Sequence, residues 1–336
     1  MALALGAVAC DQGRPEDEPS RGPPPRVVAT YPADGDGLEC DSASPPECGV
    51  PIDAAIELRF DRWLLPATAV RQSVVLYSTT PDAAIFLQPE YDVLERVVAF
   101  RRPSGGSLER GIVYTLAIVV PDPADAESFG FRSFDGVPLE PGPVPLTITF
   151  RTATADPALA PPPPAGCRVA LDRLRSCVGA SCHGAPGRMG LTLEGAAGVA
   201  DAVGRAAHQT ELGAVAGVMT EAPGRFGVQM PLIDPGRPDN SYLVYKLLAR
   251  GESWAPAADA ECASGRRVPV AEGGPAGECL TGPGVELERA RAWFLRGEAM
   301  PPASLPEPRP DRPVRREHLT DLVAWIRSGA SLDDCD

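Results

Sequence analysis

The chain has 336 residues, of which 44% are hydrophobic, and carries a formal net charge of −14. That length suits two domains of roughly 100–200 residues each, and the acid excess repels phosphate backbones and argues against nucleic acid as a partner. With 39 prolines and 34 glycines, the chain has too many turn formers to be mostly helical. Lys246 is the only lysine, so the other 30 basic residues counted as Lys or Arg are arginines (31 − 1). Nine cysteines, at 10, 40, 48, 167, 177, 182, 262, 279 and 335, exceed what a reducing compartment usually keeps. They form no closely spaced CxxC-type pairs of the kind zinc takes, so an oxidised, exported protein is expected.

Residues 1–10 are a run of small apolar residues ending Ala7-Val8-Ala9-Cys10. This resembles the end of a bacterial lipoprotein signal, which implies lipidation at Cys10. An ordinary cleaved secretory signal is the alternative. No later stretch approaches about 18 continuous apolar residues, so the lipid is the expected membrane contact. Residues 11–25 are polar and rich in Pro, Glu and Arg, and read as a flexible tether.

From Arg26 the texture changes to short strand-like runs between turn residues. Val27-Val28-Ala29-Thr30-Tyr31 is the first, and Ile56-Glu57-Leu58-Arg59-Phe60 alternates apolar and polar as a half-buried strand should. Further runs lie at 74–77, 96–100, 114–119 and 146–150. Short strands at turn-marked intervals predict an antiparallel β-sandwich. Tyr31-Pro32-Ala33-Asp34-Gly35, Val50-Pro51-Ile52-Asp53 and Leu58-Arg59-Phe60-Asp61 resemble the opening of the bacterial Ig-like domain of surface-layer proteins. Leu108 to Leu116, Asp135-Gly136-Val137-Pro138-Leu139 and Phe150-Arg151-Thr152 resemble its later strands. The resemblance covers residues 26–152 and implies a spacer or docking module. Cys40 and Cys48 fall in an insertion, where a local disulfide is expected to staple a Pro-rich loop.

Residues 153–166 contain Pro161-Pro162-Pro163-Pro164, a stiff linker. Beyond it, in 167–336, the periodicity is helical. Val169, Leu171 and Leu174 mark one helix. Residues 242–248 mark a second, entered through Pro238-Asp239-Asn240-Ser241, and 287–295 a third. In 317–328, Leu319, Leu322, Val323 and Ile326 recur at i, i+3, i+4, i+7, with Gly329 closing the helix.

Cys177-Val178-Gly179-Ala180-Ser181-Cys182-His183 has the residues for covalent haem attachment. Two cysteines make thioethers to the vinyl groups, and the His after the second binds the iron. The spacing is C-x4-C-H, two residues longer than usual, and Gly179, Ala180 and Ser181 are small enough to bulge outward. The alternative is a Cys177–Cys182 disulfide in a loop with His183 exposed. Gly297-Glu298-Ala299-Met300-Pro301-Pro302 precedes the 317–328 helix, and Asp234-Pro235-Gly236-Arg237-Pro238-Asp239-Asn240-Ser241 lies between. These phrases, in this order, resemble cytochrome c domains of planctomycete and myxobacterial type. The resemblance implies one haem c held by Cys177, Cys182 and His183, with Met300 as distal ligand ahead of Met230 and Met189. His208 and His318 are expected to be ordinary helix residues. Among the remaining cysteines, Cys262 is expected to pair with Cys279. Cys167 is expected to pair with Cys335, because the first and last helices meet in that family.

The expected architecture is therefore two-domain: an all-β Ig-like sandwich followed by an all-α cytochrome c-like domain. The expected function is that of an exported, lipid-anchored, single-electron carrier facing a redox partner protein, with no catalytic site of its own. The alternatives are a structural or docking lipoprotein that has lost its haem and is disulfide-stapled, and a sensor whose Met300 dissociates to admit a small ligand.

Overall fold

The computed structural model describes residues 21–41, 43–78, 84–155, 166–174, 178, 183, 191–207, 226–227, 229–249, 284–295, 316–333 and 335. The strands are β1 (Val27–Tyr31), β2 (Ile56–Phe60), β3 (Val74–Ser78), β4 (Ala84–Ile85), β5 (Gln88–Asp92), β6 (Val97–Arg101), β7 (Val113–Ile118) and β8 (Thr147–Arg151). They form two antiparallel four-stranded sheets, ordered β1-β2-β6-β5 and β4-β3-β7-β8. Alternation decides which face is buried. Ile56, Leu58 and Phe60 of β2 point inward, as do Tyr114, Leu116 and Ile118 of β7.

All six sequence runs named above are strands. β4 and β5 were not legible. β5 reads Gln-Pro-Glu-Tyr-Asp and buries only Tyr91. Pro89 is tolerated there because β5 is an edge strand, paired on one side with β6.

The described helices are α1 (Cys167–Leu174), α2 (Gly195–Ala202), α3 (Tyr242–Leu248), α4 (Gly284–Trp293) and α5 (Arg316–Arg327). α2 is built of Gly, Ala, Val and Asp and carries too weak an apolar stripe to be read from sequence. α5 buries Leu319, Leu322, Val323, Trp325 and Ile326. It ends where the Ala330 amide donates to the Trp325 carbonyl, 3.0 Å, with Gly329 at φ 103°. Disulfides join Cys40 to Cys48 and Cys167 to Cys335, with Cα–Cα separations of 5.8 and 5.0 Å. The second ties α1 to the segment after α5.

The expectation of an all-β domain followed by an all-α domain is corrected. The chain is mixed α/β, and helices pack directly on sheet-bearing segments. Trp63 meets Tyr245 of α3 edge-on, with ring centroids 5.7 Å apart. Phe134 meets Phe226 at 6.4 Å, Trp293 at 6.4 Å and Phe294 at 5.8 Å. Arg327 of α5 pairs with Glu90 of β5 at 2.7 Å. One hydrophobic cluster runs from Val27 through Phe134 and Tyr245 to Ile326. The helical half also carries β-bridges of its own, Val203 with Ile233 and Ala206 with Pro231. Periodicity reveals that a face is buried, not what it is buried against. That is why the shared core was invisible in the sequence.

Candidate haem-attachment segment and the buried seam

His183 is 9% exposed. Its Nδ1 lies 3.2 Å from the Leu191 carbonyl oxygen. A carbonyl only accepts, so Nδ1 carries the proton and the Nε2 lone pair is left to bind a metal. The His183 carbonyl in turn accepts from the Leu193 amide, 2.8 Å, so the backbone beyond the imidazole folds back onto it. A loop disulfide with an exposed histidine would not require this burial.

Beside this segment a cleft of about 550 Å³ opens between α1 and the start of α2. Leu171, Val178 and Leu193 give it apolar walls, Arg168, Asp172 and Glu194 are its charged residues, and Cys335 lies at its margin. Cofactor sites commonly occupy roughly 300–1,000 Å³ with mostly apolar walls and a few polar groups. Val178 belongs to the Cys177–His183 segment itself. His183 is not among the described residues that line this cleft, so the imidazole and the cleft are separate observations, and what matches a covalent haem is the residue types of the Cys177–His183 segment.

Cys177, Cys182 and Met300 lie outside the described residues, as do Cys10, Cys262, Cys279, Met189, His208 and the side chain of His318. Met230 is described, 2% exposed and packed in the hydrophobic cluster, and its carbonyl accepts from the Ala207 amide at 2.9 Å. The phrase 234–241 forms a polar lock leading into α3. Asn240 Nδ2 donates to the Asp234 carboxylate at 2.7 Å, and the Asp234 amide donates to Ser241 Oγ at 2.8 Å. Burial raises the Asp239 carboxyl above its usual range, with Arg237 opposing. Burial also holds the Tyr245 hydroxyl, which donates to the Asp239 carbonyl at 2.8 Å, well above the usual phenol range. Among the described residues, one group has metal-ligand proximity, Glu39 with Cys40 and Cys48, and the disulfide occupies both of its sulfurs.

Sequence reasoning missed a buried ion cluster at the seam between sheets and helices. Arg62 Nε donates to both Glu286 oxygens, at 3.1 and 3.0 Å, and Nη2 donates to Asp135 Oδ2 at 2.9 Å. The three side chains are 4%, 7% and 0% exposed. The Trp63 amide donates to Glu286 Oε1 at 3.2 Å, and Arg289 donates to Oε2 at 3.2 Å. Ser133 Oγ donates to Asp135 Oδ1. Burial pushes the Asp135 carboxyl upward. Hydrogen bonds from Arg62, Ser133 and Gly22 outweigh it and leave the group below the usual carboxylate range. Nothing in the local sequence of Arg62 or Glu286 signals the pairing, because the two are 224 positions apart.

No protein-family model matches the chain, and no curated protein matches it either. Among solved structures, the N-terminal part of the bacterial S-layer protein SbsC is 14% identical, matching 40% of this chain and 25% of its own at a TM-score of 0.25. The S-layer protein rSbsC(31-844) is 14% identical, with 44% and 17% covered and a TM-score of 0.26. SbsC domains 1–6 give 13%, 43%, 17% and 0.24. The chain spans a quarter or less of those proteins. They are compatible with the surface-layer resemblance of residues 26–152, but likeness at this score carries no argument. No described helix is long and apolar enough to cross a membrane.

Proposed function

We propose that the protein is an exported, lipid-anchored c-type cytochrome that passes single electrons to or from a partner protein. The observation that supports this best is the buried His183 imidazole, whose Nδ1 is occupied by Leu191 and whose Nε2 is thereby free to ligate. Cys177 and Cys182 would hold the haem by thioethers, and His183 and Met300 would bind its iron. A haem so ligated supplies a one-electron couple and offers no open coordination site, so the protein carries electrons rather than catalysing. The Leu191 carbonyl would hold the orientation of the imidazole ring. Leu171, Val178 and Leu193 would offer apolar contacts to a group placed in the cleft. Cys10 would bear the lipid and residues 11–25 would be the tether, with Gly22, Pro23 and Pro25 hydrogen-bonded to the fold.

A docking lipoprotein without haem is the second reading. It is favoured by the disulfide staples and by the continuous core that joins sheets to helices. Intact-mass analysis of protein made with a c-haem maturation system separates the two. A haem-sized increment supports the cytochrome. A Cys177–Cys182 disulfide without that increment overturns it.

A further inference from the structure

The end of the N-terminal tether is zipped onto the seam. The Glu140 amide donates to the Pro25 carbonyl at 3.1 Å, and the Arg26 amide donates to Asp61 Oδ1 at 2.8 Å. Two residues earlier the chain enters the ion cluster. The Gly22 amide donates to Asp135 Oδ2 at 2.6 Å, and the Pro23 carbonyl accepts from Arg62 Nη1. The same guanidinium grips Glu286 in the first turn of α4. Arg62 therefore has three kinds of partner: the tether, the sheet-bearing half through Asp135, and the helical half through Glu286. Its guanidinium carbon also lies 5.6 Å from the Phe134 ring centroid, beside the aromatic contacts to Trp293 and Phe294. The fit is close. A Cβ on residue 22 would lie 2.7 Å from the Arg62 guanidinium carbon, so a larger residue there requires the guanidinium or the strap to shift.

We propose that residues 22–26 are a strap that locks α4 onto the sheets through Arg62, so that unseating the strap loosens the helical half while the sheets stay intact. The physical reason is the number of donors a buried guanidinium must place. With the strap seated, Nη1 has the Pro23 carbonyl, Nη2 has Asp135, and Nε is left to Glu286. Without it, Nη1 loses its protein acceptor and faces the vacated space, and Asp135 loses the Gly22 amide. The guanidinium then gains most by turning toward the vacated side and water, away from Glu286. Any event on the chain N-terminal to Gly22, whether cleavage, pulling or a bound partner, is in this way transmitted to α4 and to the aromatic seam above it. The device does not depend on whether the protein holds haem.

The test is hydrogen–deuterium exchange on the full chain, on Gly22→Leu, whose side chain would meet the Arg62 guanidinium and so forces strap and guanidinium apart, and on Asp61→Ala, which removes the acceptor of the Arg26 amide and loosens the strap without a new contact to Arg62. Because each hydrogen bond to a charged group matters more than a neutral one, the Trp63 amide and the α4 amides should exchange about tenfold faster or more. The amides of β2 and β6 should be unchanged. Unchanged exchange at Trp63 and α4 would show that the strap is a passenger. Equal acceleration in β2, β6 and α4 would show only a general loss of stability. Either result overturns the proposal. Asp135→Asn, which keeps shape but removes the charge that Gly22 and Arg62 share, should give the same selective pattern in milder form.

Discussion

Replacing Arg62 with methionine tests the seam most severely. The Met side chain keeps a flexible apolar stem of similar reach but removes every guanidinium bond and the charge beside the Phe134 ring. Two carboxylates then remain in the interior, at 0% and 7% exposure. Breaking a buried ion pair by deleting one partner costs about 3–5 kcal/mol. The remaining partners set where in that range the cost falls. Asp135 keeps the Ser133 hydroxyl and the Gly22 amide, and Glu286 keeps Arg289 and the Trp63 amide. Neither carboxylate is fully orphaned, so the expected loss is near the lower end, about 3 kcal/mol. Against a total of about 5–15 kcal/mol this is large enough to read directly. Urea unfolding, followed by tryptophan fluorescence and far-UV circular dichroism, should show a lower midpoint for Arg62→Met. Arg62→Met/Glu286→Gln should recover part of the loss, since one unpaired charge goes. A midpoint within error of the parent, or a double variant worse than the sum of the singles, would refute the reasoning.

Acid should weaken the seam through Asp135. Its folded value lies below that of the unfolded chain, so its contribution is present above the unfolded value of about 3.9 and is lost as pH falls through the folded one. Asp135→Asn should flatten the dependence of the urea midpoint on pH in that acid window. Asp239 has the opposite sign. Burial raises its folded value, so Asp239→Asn should raise the midpoint at neutral pH and leave it unchanged in acid. The disulfides should differ in weight. Cys167–Cys335 closes a separation of 168 residues and Cys40–Cys48 one of 8. The chain-entropy model gives about 5 and about 2.5 kcal/mol, so Cys335→Ser should lower the thermal midpoint more than Cys48→Ser.

The sequence reveals what is local. Alternation found β2 and β7, and the i, i+3, i+4, i+7 stripe found α5, because each element's burial is written in its own residues. It does not reveal partners. Nothing in the sequence around Trp63 or Tyr245 shows that the two rings meet. Phe134 directly precedes the phrase 135–139 that resembles a later part of the Ig-like domain, yet it packs on Trp293 and Phe294. The separation into an all-β and an all-α domain fails for the same reason. At the candidate site, residue type and spacing point to Cys177, Cys182 and His183, and the cytochrome c resemblance to Met300. Neither points to the carbonyl of Leu191, since any residue can supply a backbone acceptor and no side chain marks it.

The measurement that bears most directly on the haem is a pyridine haemochrome spectrum of protein made with a c-haem maturation system, alongside His183→Ala. A c-type α-band in the parent, lost or greatly reduced in His183→Ala, is the expected result. Absence of a c-type band in the parent would contradict the cytochrome and leave the disulfide-stapled docking protein.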